Sequence, residues 1–180
     1  MGLHSLMFLV VGLLIAADAP KEGEAKNGAP IPGNLMPSKR NIVLFQVSAE
    51  GFQIYTCKAK ADESKKFEWT LKLPDASLFN DEGKKIGKHY GGPTWEGSDG
   101  SKVISMLIET APAPKDGDIP WLLLKAKENL GKGLFSRVTY IQRLNTEGGV
   151  APAKGCDKAQ EGNEVRVKYK ATYIFYGTEK

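Results

Sequence analysis

The few side chains suited to chemistry lie close together in one glycine-rich segment. His89, one of two histidines in the chain, is followed by Tyr90, Glu96 and Asp99. An imidazole beside a carboxylate is the arrangement of a general base, since the unperturbed pKa of histidine is about 6.5. The segment therefore predicts either a catalytic His89 assisted by Glu96 or Asp99, or a His89 that contacts a ligand or makes structural hydrogen bonds.

An aromatic ring and a cation extend this candidate site. Trp95 follows a Pro-Thr pair in the same segment, where its ring is placed to lie against a flat ligand such as a sugar. Arg143 alternates with Ile141 in an apolar strand, and a buried arginine needs a carboxylate partner. The candidates for that partner are Asp75, Glu96 and Asp99. The predicted ligand-binding residues are His89, Tyr90, Trp95, Asp99 and Arg143.

Other motifs that carry chemistry are incomplete. Ser98 and Ser101 lie in a turn, outside any G-x-S-x-G elbow, so they predict no activated nucleophile. Gly91-Gly92-Pro93 has no following Lys-Ser/Thr and helix, so it predicts a turn and not a phosphate loop. One histidine without a free cysteine does not favour a metal site, and we expect no metal and no cofactor.

The two cysteines, Cys57 and Cys156, predict one disulfide. They are far apart in the sequence and lack the spacing of a redox or zinc motif. A bond between them would attach a loop with few apolar side chains to the rest of the domain.

The N-terminus favours export to a secreted or periplasmic location. Leu6 to Ala17 is an apolar run of 12 residues, too short to span a bilayer and of the length of a signal-peptide core. Ala17-Asp18-Ala19 provides a small-residue cleavage site, and an uncleaved N-terminal anchor is the alternative. We predict a signal peptide over 1–19, a flexible linker over 20–33 and a single β domain over 34–180.

The charge distribution gives no sign of a nucleic-acid partner. The chain of 180 residues has a net charge of +4, and its lysines are scattered among acidic residues and turns. A nucleic-acid surface needs basic residues massed on one face. We therefore expect no nucleic acid and no stable membrane span after cleavage, and we predict a small molecule or a glycan as the partner.

The element pattern predicts a mainly β fold. Apolar and polar residues alternate most clearly in residues 67–73 and 164–176, as expected of half-buried strands. Pro74 is expected to end the first of these strands. Residues 134–144 predict another strand, and Trp121–Asn129, rich in Leu, Ala, Lys and Glu, predicts the one short helix. The fold class is a single-domain β-sandwich or barrel of about eight strands with one short helix.

The glycines around His89 predict the local backbone conformation. Residues 87–101 hold five glycines and one proline, so we expect the backbone to bend more than once there. His89 is then expected in a bend and not in a core strand.

Five motifs stand out as a set: GFQIYTC (51–57), HYGGPTW (89–95), DGS (99–101), IPWLLL (119–124), and IQR with NT (141–146). This set resembles a family of secreted bacterial and fungal proteins catalogued only as a domain of unknown function. The resemblance runs from about Gly51 to Tyr176 and implies an exported, stand-alone domain without an established activity. Some fungal relatives are labelled malate dehydrogenase, but this chain has no G-x-G-x-x-G motif after a strand to support that label.

Two functions are consistent with these patterns. The first is a non-enzymatic secreted binding or structural domain with a ligand site in the 87–101 loop. The alternative is an enzyme acting on a small molecule or glycan through His89 with Glu96 or Asp99. A cavity that gathers His89, Trp95, Asp99 and Arg143 would favour a functional site.

The signal-peptide interpretation makes a direct prediction. Mass spectrometry of the exported protein should find its N-terminus between Ala17 and Lys26, because signal peptidase cuts after small residues. An intact Met1 in the exported pool would contradict it.

Overall fold

The computed structural model describes residues 28–63 and 65–178. Its strands are β1 (Asn41–Ala59), β2 (Phe67–Phe79), β3 (Lys85–Tyr90), β4 (Thr94–Gly97), β5 (Lys102–Ala111), β6 (Trp121–Leu130), β7 (Tyr140–Gly148) and β8 (Glu164–Thr178). Each strand is antiparallel to the next, and β8 pairs with β1 to close a barrel. In the described ranges the helical segments are two 3-10 turns, Gly33–Leu35 and Lys158–Gln160. The prediction of a mainly β domain of about eight strands is confirmed.

The predicted short helix over 121–129 is wrong, because this segment forms β6. Trp121 and Leu123 pack into a cluster on the outside of the barrel, whereas Leu122 and Leu124 pack against its interior. A strand covered on both faces shows no alternation of apolar and polar residues, so its leucine-rich composition suggested a helix.

The expectation that Pro74 ends a strand is also wrong. Pro74 pairs with Gln53 of β1, and β2 continues to Phe79. β3 pairs with β2 only from Ala76 onward, so Pro74 has a neighbouring strand on one side alone. On the side that faces β3 there is no partner strand at Pro74, so proline's lack of an N–H costs no hydrogen bond there.

Two short strands leave a gap in the barrel wall. β3 has 6 residues and β4 has 4, whereas the flanking β2 and β5 have 13 and 10. β4 pairs with β5 only as far as Ile104, and β5 continues to Ala111. Beyond the β3–β4 turn, β2 and β5 therefore extend without a strand between them.

The other end of the barrel is filled by the loop between β6 and β7. The strand predicted over 134–144 begins only at Tyr140, because the preceding residues turn into the barrel. Phe135 and Val138 are buried there, and the side-chain amide of Asn129 donates to both of their carbonyls at 2.8 and 3.1 Å.

A second apolar cluster lies outside the barrel, beneath the segment that precedes β1. Its buried members are Leu35, Ala111, Trp121, Leu123 and Leu144. The side-chain amide of Gln142 donates to the Leu35 carbonyl at 2.8 Å. The predicted signal peptide over 1–19 lies outside the described residues. The predicted linker over 20–33 is described from Gly28, and Ala29 and Ile31 within it pack against this cluster.

The predicted disulfide between Cys57 and Cys156 is confirmed. The two Cα atoms are 5.4 Å apart, and the bond joins the end of β1 to the β7–β8 loop. The indole N–H of Trp69 donates to the Lys154 carbonyl in the same loop at 3.0 Å. In the described ranges no helix is long and apolar enough to cross a membrane.

Removing the disulfide should lower stability. We expect the double variant C57A/C156A to lose about 2–5 kcal/mol of unfolding free energy, because the crosslink restricts the unfolded chain. Urea denaturation measures the change, and thiol labelling of denatured, unreduced wild type should detect no free cysteine. Two labelled thiols, or no change in stability, would contradict the prediction.

Candidate functional site

A cavity of about 250 Å³ lies at the end of the barrel where β3 and β4 stop. Its walls are mainly apolar and include Leu73, Pro74, Pro93, Leu122 and Leu124. Leu71 of β2 and Leu107 of β5 also line it, and each is 52% exposed. These two leucines mark the mouth of the cavity, on either side of the gap in the wall.

His89 lies on the inner face of β3, and not in a bend as the glycine content suggested. Its ring stacks on Trp95 of β4 with centroids 4.1 Å apart, and it meets the edge of Tyr173 at 5.2 Å. Nδ1 is 2.9 Å from the Thr94 carbonyl oxygen. Since a carbonyl only accepts, Nδ1 carries the hydrogen and Nε2 is an acceptor.

Burial keeps His89 neutral. Removal from water lowers the pKa of His89, the hydrogen bond to Thr94 opposes this, and the positive charge of Arg143 adds a smaller decrease, so that the pKa is about 3. At physiological pH the imidazole is uncharged.

Arg143 places a positive charge on the same inner surface. It lies in β7 opposite Tyr173 of β8 and Leu122 of β6. Its Nε and Nη2 donate to the Pro120 carbonyl at 3.1 and 2.8 Å. Among the described residues, no carboxylate lies within 4 Å of the guanidinium.

The three expected carboxylate partners of Arg143 are engaged elsewhere. Asp75 pairs with Arg166 on the outer surface at 2.7 Å. Glu96 accepts from the Tyr90 hydroxyl, and Asp99 accepts from Ser101. The expectation that one of them neutralises Arg143 is therefore wrong.

Three residues that line the cavity have buried donors that lack an acceptor in the described part of the chain. The atoms are Nε2 of Gln53, Nε1 of Trp95 and the hydroxyl of Tyr173. An unmade hydrogen bond of this kind costs about 1–3 kcal/mol, so each one calls for an explanation. Four other residues have a buried polar atom without a partner, but they do not line the cavity. They are Ser105, Trp121, Asn145 and Tyr169.

Tyr90 and Asp99 lie apart from this cavity. The Tyr90 hydroxyl donates to Glu96 Oε2 at 2.7 Å, and this hydrogen bond raises the pKa of Tyr90 and lowers that of Glu96. Asp99 lies at the other end of the barrel, where it accepts from the Ser101 hydroxyl and from the backbone N–H of Leu134 at 2.6 and 2.7 Å. These bonds hold the pKa of Asp99 below its usual value. The structure thus brings together His89, Trp95 and Arg143 of the five predicted site residues.

Comparison with known proteins places the chain in one family. A family model described as "Protein of unknown function (DUF3455)" matches residues 37–177, from just before β1 to the end of β8. The chain belongs to this DUF3455 family. The predicted resemblance to a family of unknown function is therefore confirmed. No curated protein and no solved structure matches the chain.

Two polar residues of the site were missed in this DUF3455 domain. The alternation of residues 164–176 placed Tyr173 on the apolar face of β8, but nothing in the sequence showed that this part of the face borders a cavity. Gln53 stands between Phe52 and Ile54, where a polar residue in an apolar strand was the available signal. Both lie next to the cavity because β1 and β8 close the barrel.

The neutrality of His89 predicts how stability depends on pH. The pKa of His89 is about 3 in the folded state, below about 6.5 in the unfolded state, so unfolding takes up a proton at acidic pH. The unfolding free energy should therefore fall as the pH decreases from about 6.5. Urea denaturation across this range measures the effect, and His89→Phe should flatten the profile above about pH 4, where carboxylates begin to titrate. An NMR titration of His89 with a midpoint near 6.5 would contradict this prediction.

Proposed function

We propose that this DUF3455 domain is a non-enzymatic binding protein that holds one small organic molecule in the cavity at the β3–β4 end of the barrel. One observation supports this most strongly. Among the described residues, an arginine that lacks a carboxylate partner and three donors that lack an acceptor belong to the lining of a single apolar cavity. Small-molecule sites combine apolar walls with a few convergent polar groups in this way.

The architecture fits this proposal. An eight-stranded barrel is just wide enough to be filled by side chains or to hold one small ligand. Here the aromatic rings of Phe45, Phe135 and Phe175 pack together in the interior, near the loop-filled end. The other end narrows to the cavity, and its mouth lies between Leu71 and Leu107.

The alternative, an enzyme using His89 with Glu96 or Asp99, has less support. No hydrogen bond joins His89 to either carboxylate among the described residues, and Glu96 is engaged by Tyr90, Lys88 and Lys102. A histidine with a pKa of about 3 is also a weak base at neutral pH.

Export and the class of partner belong to the same proposal. A disulfide is compatible with a secreted or periplasmic location, where disulfides form and persist. The leucine- and proline-lined walls favour a small molecule over a glycan, because a sugar needs a polar partner for most of its hydroxyls. The scattered lysines give no support to a nucleic-acid partner.

Blocking the mouth tests the proposal. Leu107→Trp places an indole at the mouth of the cavity, whereas Met106→Trp places one at a neighbouring position that does not line it. Leu107 is 52% exposed and Met106 48%, so the two variants are matched in exposure. A fragment set of neutral and charged molecules with about eight to ten non-hydrogen atoms suits the cavity, since a smaller cavity of roughly 150 Å³ holds benzene. We expect fragments to shift the NMR signals of Trp95 and Tyr173, and to bind at least tenfold more weakly to Leu107→Trp.

The control decides how the result is interpreted. Met106→Trp should bind the same fragments with wild-type affinity. Fragments that bind only elsewhere, or that bind Leu107→Trp and wild type equally, would overturn the proposed site.

A further inference from the structure

The guanidinium of Arg143 is a cation that no carboxylate neutralises in the ranges 28–63 and 65–178. Two of its nitrogens donate to the carbonyl of Pro120, which carries no formal charge. A guanidinium has five N–H donors, so several remain after these two hydrogen bonds. Arg143 is also half-buried, where a cation loses part of its hydration and gains most from an anion.

The titratable groups around Arg143 do not supply a negative charge. Its positive charge acts on His89, Tyr55, Tyr169 and Tyr173. Burial raises the pKa of each tyrosine and lowers that of His89, so all four groups are neutral at physiological pH. Lys72 also lines the cavity but is paired with Glu164 at 2.6 Å. As far as the structure describes the chain, the cavity therefore carries one uncompensated positive charge, that of Arg143.

Three buried polar atoms of the cavity residues each have a hydrogen to donate and no acceptor for it among the described residues. The Gln53 amide and the Trp95 indole each offer a hydrogen and lack an acceptor among the described residues. Tyr169 and Arg143 act as donors toward the oxygen of the Tyr173 hydroxyl, so its own hydrogen also lacks an acceptor among them. A carboxylate provides two oxygens with about four acceptor sites and donates nothing. A neutral alcohol supplies fewer acceptors, and an ammonium ion supplies none.

The remaining walls specify an apolar body of limited size. Leucine and proline side chains make up most of the lining, so a bare inorganic anion would leave them uncovered. The cavity of about 250 Å³ exceeds the roughly 150 Å³ of a cavity that holds benzene, so it accommodates a small organic body.

We infer that the cavity binds a small organic monocarboxylate, with its carboxylate on the guanidinium of Arg143 and its apolar body against the leucines. This inference rests on the proposed function and adds the chemical class of the ligand. The apolar body is either aliphatic or aromatic, and both forms share the same anchoring chemistry.

Matched pairs of probes test the inference on the disulfide-bonded protein. Calorimetry would compare octanoate with 1-octanol, and benzoate with benzyl alcohol. We expect each carboxylate that fits to bind about ten- to 100-fold more tightly than its alcohol, the range for a charge-assisted hydrogen bond. The pair with the larger preference identifies the body as aliphatic or aromatic. Leu107→Trp should weaken the binding of that carboxylate, which excludes adsorption to surface lysines.

Arginine variants test the anchor. Arg143→Met should remove the preference for carboxylate while leaving the affinity for the alcohol unchanged. Arg143→Lys, which keeps the charge without the planar fork, should retain part of the preference. Arg166→Met is the matched control, because Arg166 lies on the outer surface in an ion pair with Asp75 and should not affect the preference.

The outcomes separate this inference from the proposed function. Equal binding of carboxylate and alcohol to wild type would overturn the inference while leaving a cavity that binds neutral molecules. A preference that survives in Arg143→Met would also overturn it. Binding of neither member of a pair would overturn it as well, and the fragment experiment would then decide the proposed function alone. If Arg143→Met does not fold, the wild-type preference and Arg143→Lys decide.

Discussion

The pairing of β1 with β8 closes the barrel, and every interior contact depends on it. The two strands pair from Asn41 opposite Thr178 to Thr56 opposite Glu164. Close approach of β1 to β2 also requires a residue without a side chain, since a Cβ on Gly51 would lie 2.2 Å from the Asp75 carbonyl oxygen. Closure brings residues from the two ends of the domain sequence into one interior. Gln53 and Tyr173 therefore line the same cavity although 120 residues separate them.

The two ends of the closed barrel are built differently, and this asymmetry places the site. At one end Asp99 accepts the backbone N–H of Leu134, and the Ser101 hydroxyl accepts that of Phe135. These bonds hold the β6–β7 loop in place, so the Phe135 ring fills the interior. At the other end β3 and β4 are too short to complete the wall. Asp99 thus contributes to the site indirectly. It holds the loop that fills one end of the barrel, so the interior is reached from the opposite end, where the cavity lies.

The sequence predicted those elements whose two faces differ in polarity. β8 has Tyr173 inside and Lys170 in water, and its alternation was correctly interpreted. β6 has no such contrast, because Trp121 is buried in the outer cluster and Leu124 in the interior. Its leucine-rich composition therefore led to the wrong prediction of a helix. The site was predictable only in part. Residue type was enough to propose His89, Trp95 and Arg143, which line the cavity. The direction in which a side chain points depends on strand register, which the sequence does not show, and Tyr90 and Asp99 lie elsewhere.

The disulfide and the cavity are connected through a series of hydrogen bonds that hold Arg143 in place. The Pro120 carbonyl fixes its guanidinium, and the adjacent Ile119 is held by two bonds, from its N–H to the Gly148 carbonyl and from the Thr146 hydroxyl to its carbonyl. The residue after Gly148 is Gly149, whose carbonyl accepts from the Tyr55 hydroxyl at 2.6 Å. Tyr55 lies in β1, two residues before Cys57 of the disulfide. Gly149 must also lack a side chain, because a Cβ there would lie 2.8 Å from that of Tyr169. An arginine held in this way loses little side-chain freedom when an anion binds, so more of the interaction energy appears as affinity. The loop that the disulfide secures therefore also holds in place the cation on which the proposed selectivity for a carboxylate depends.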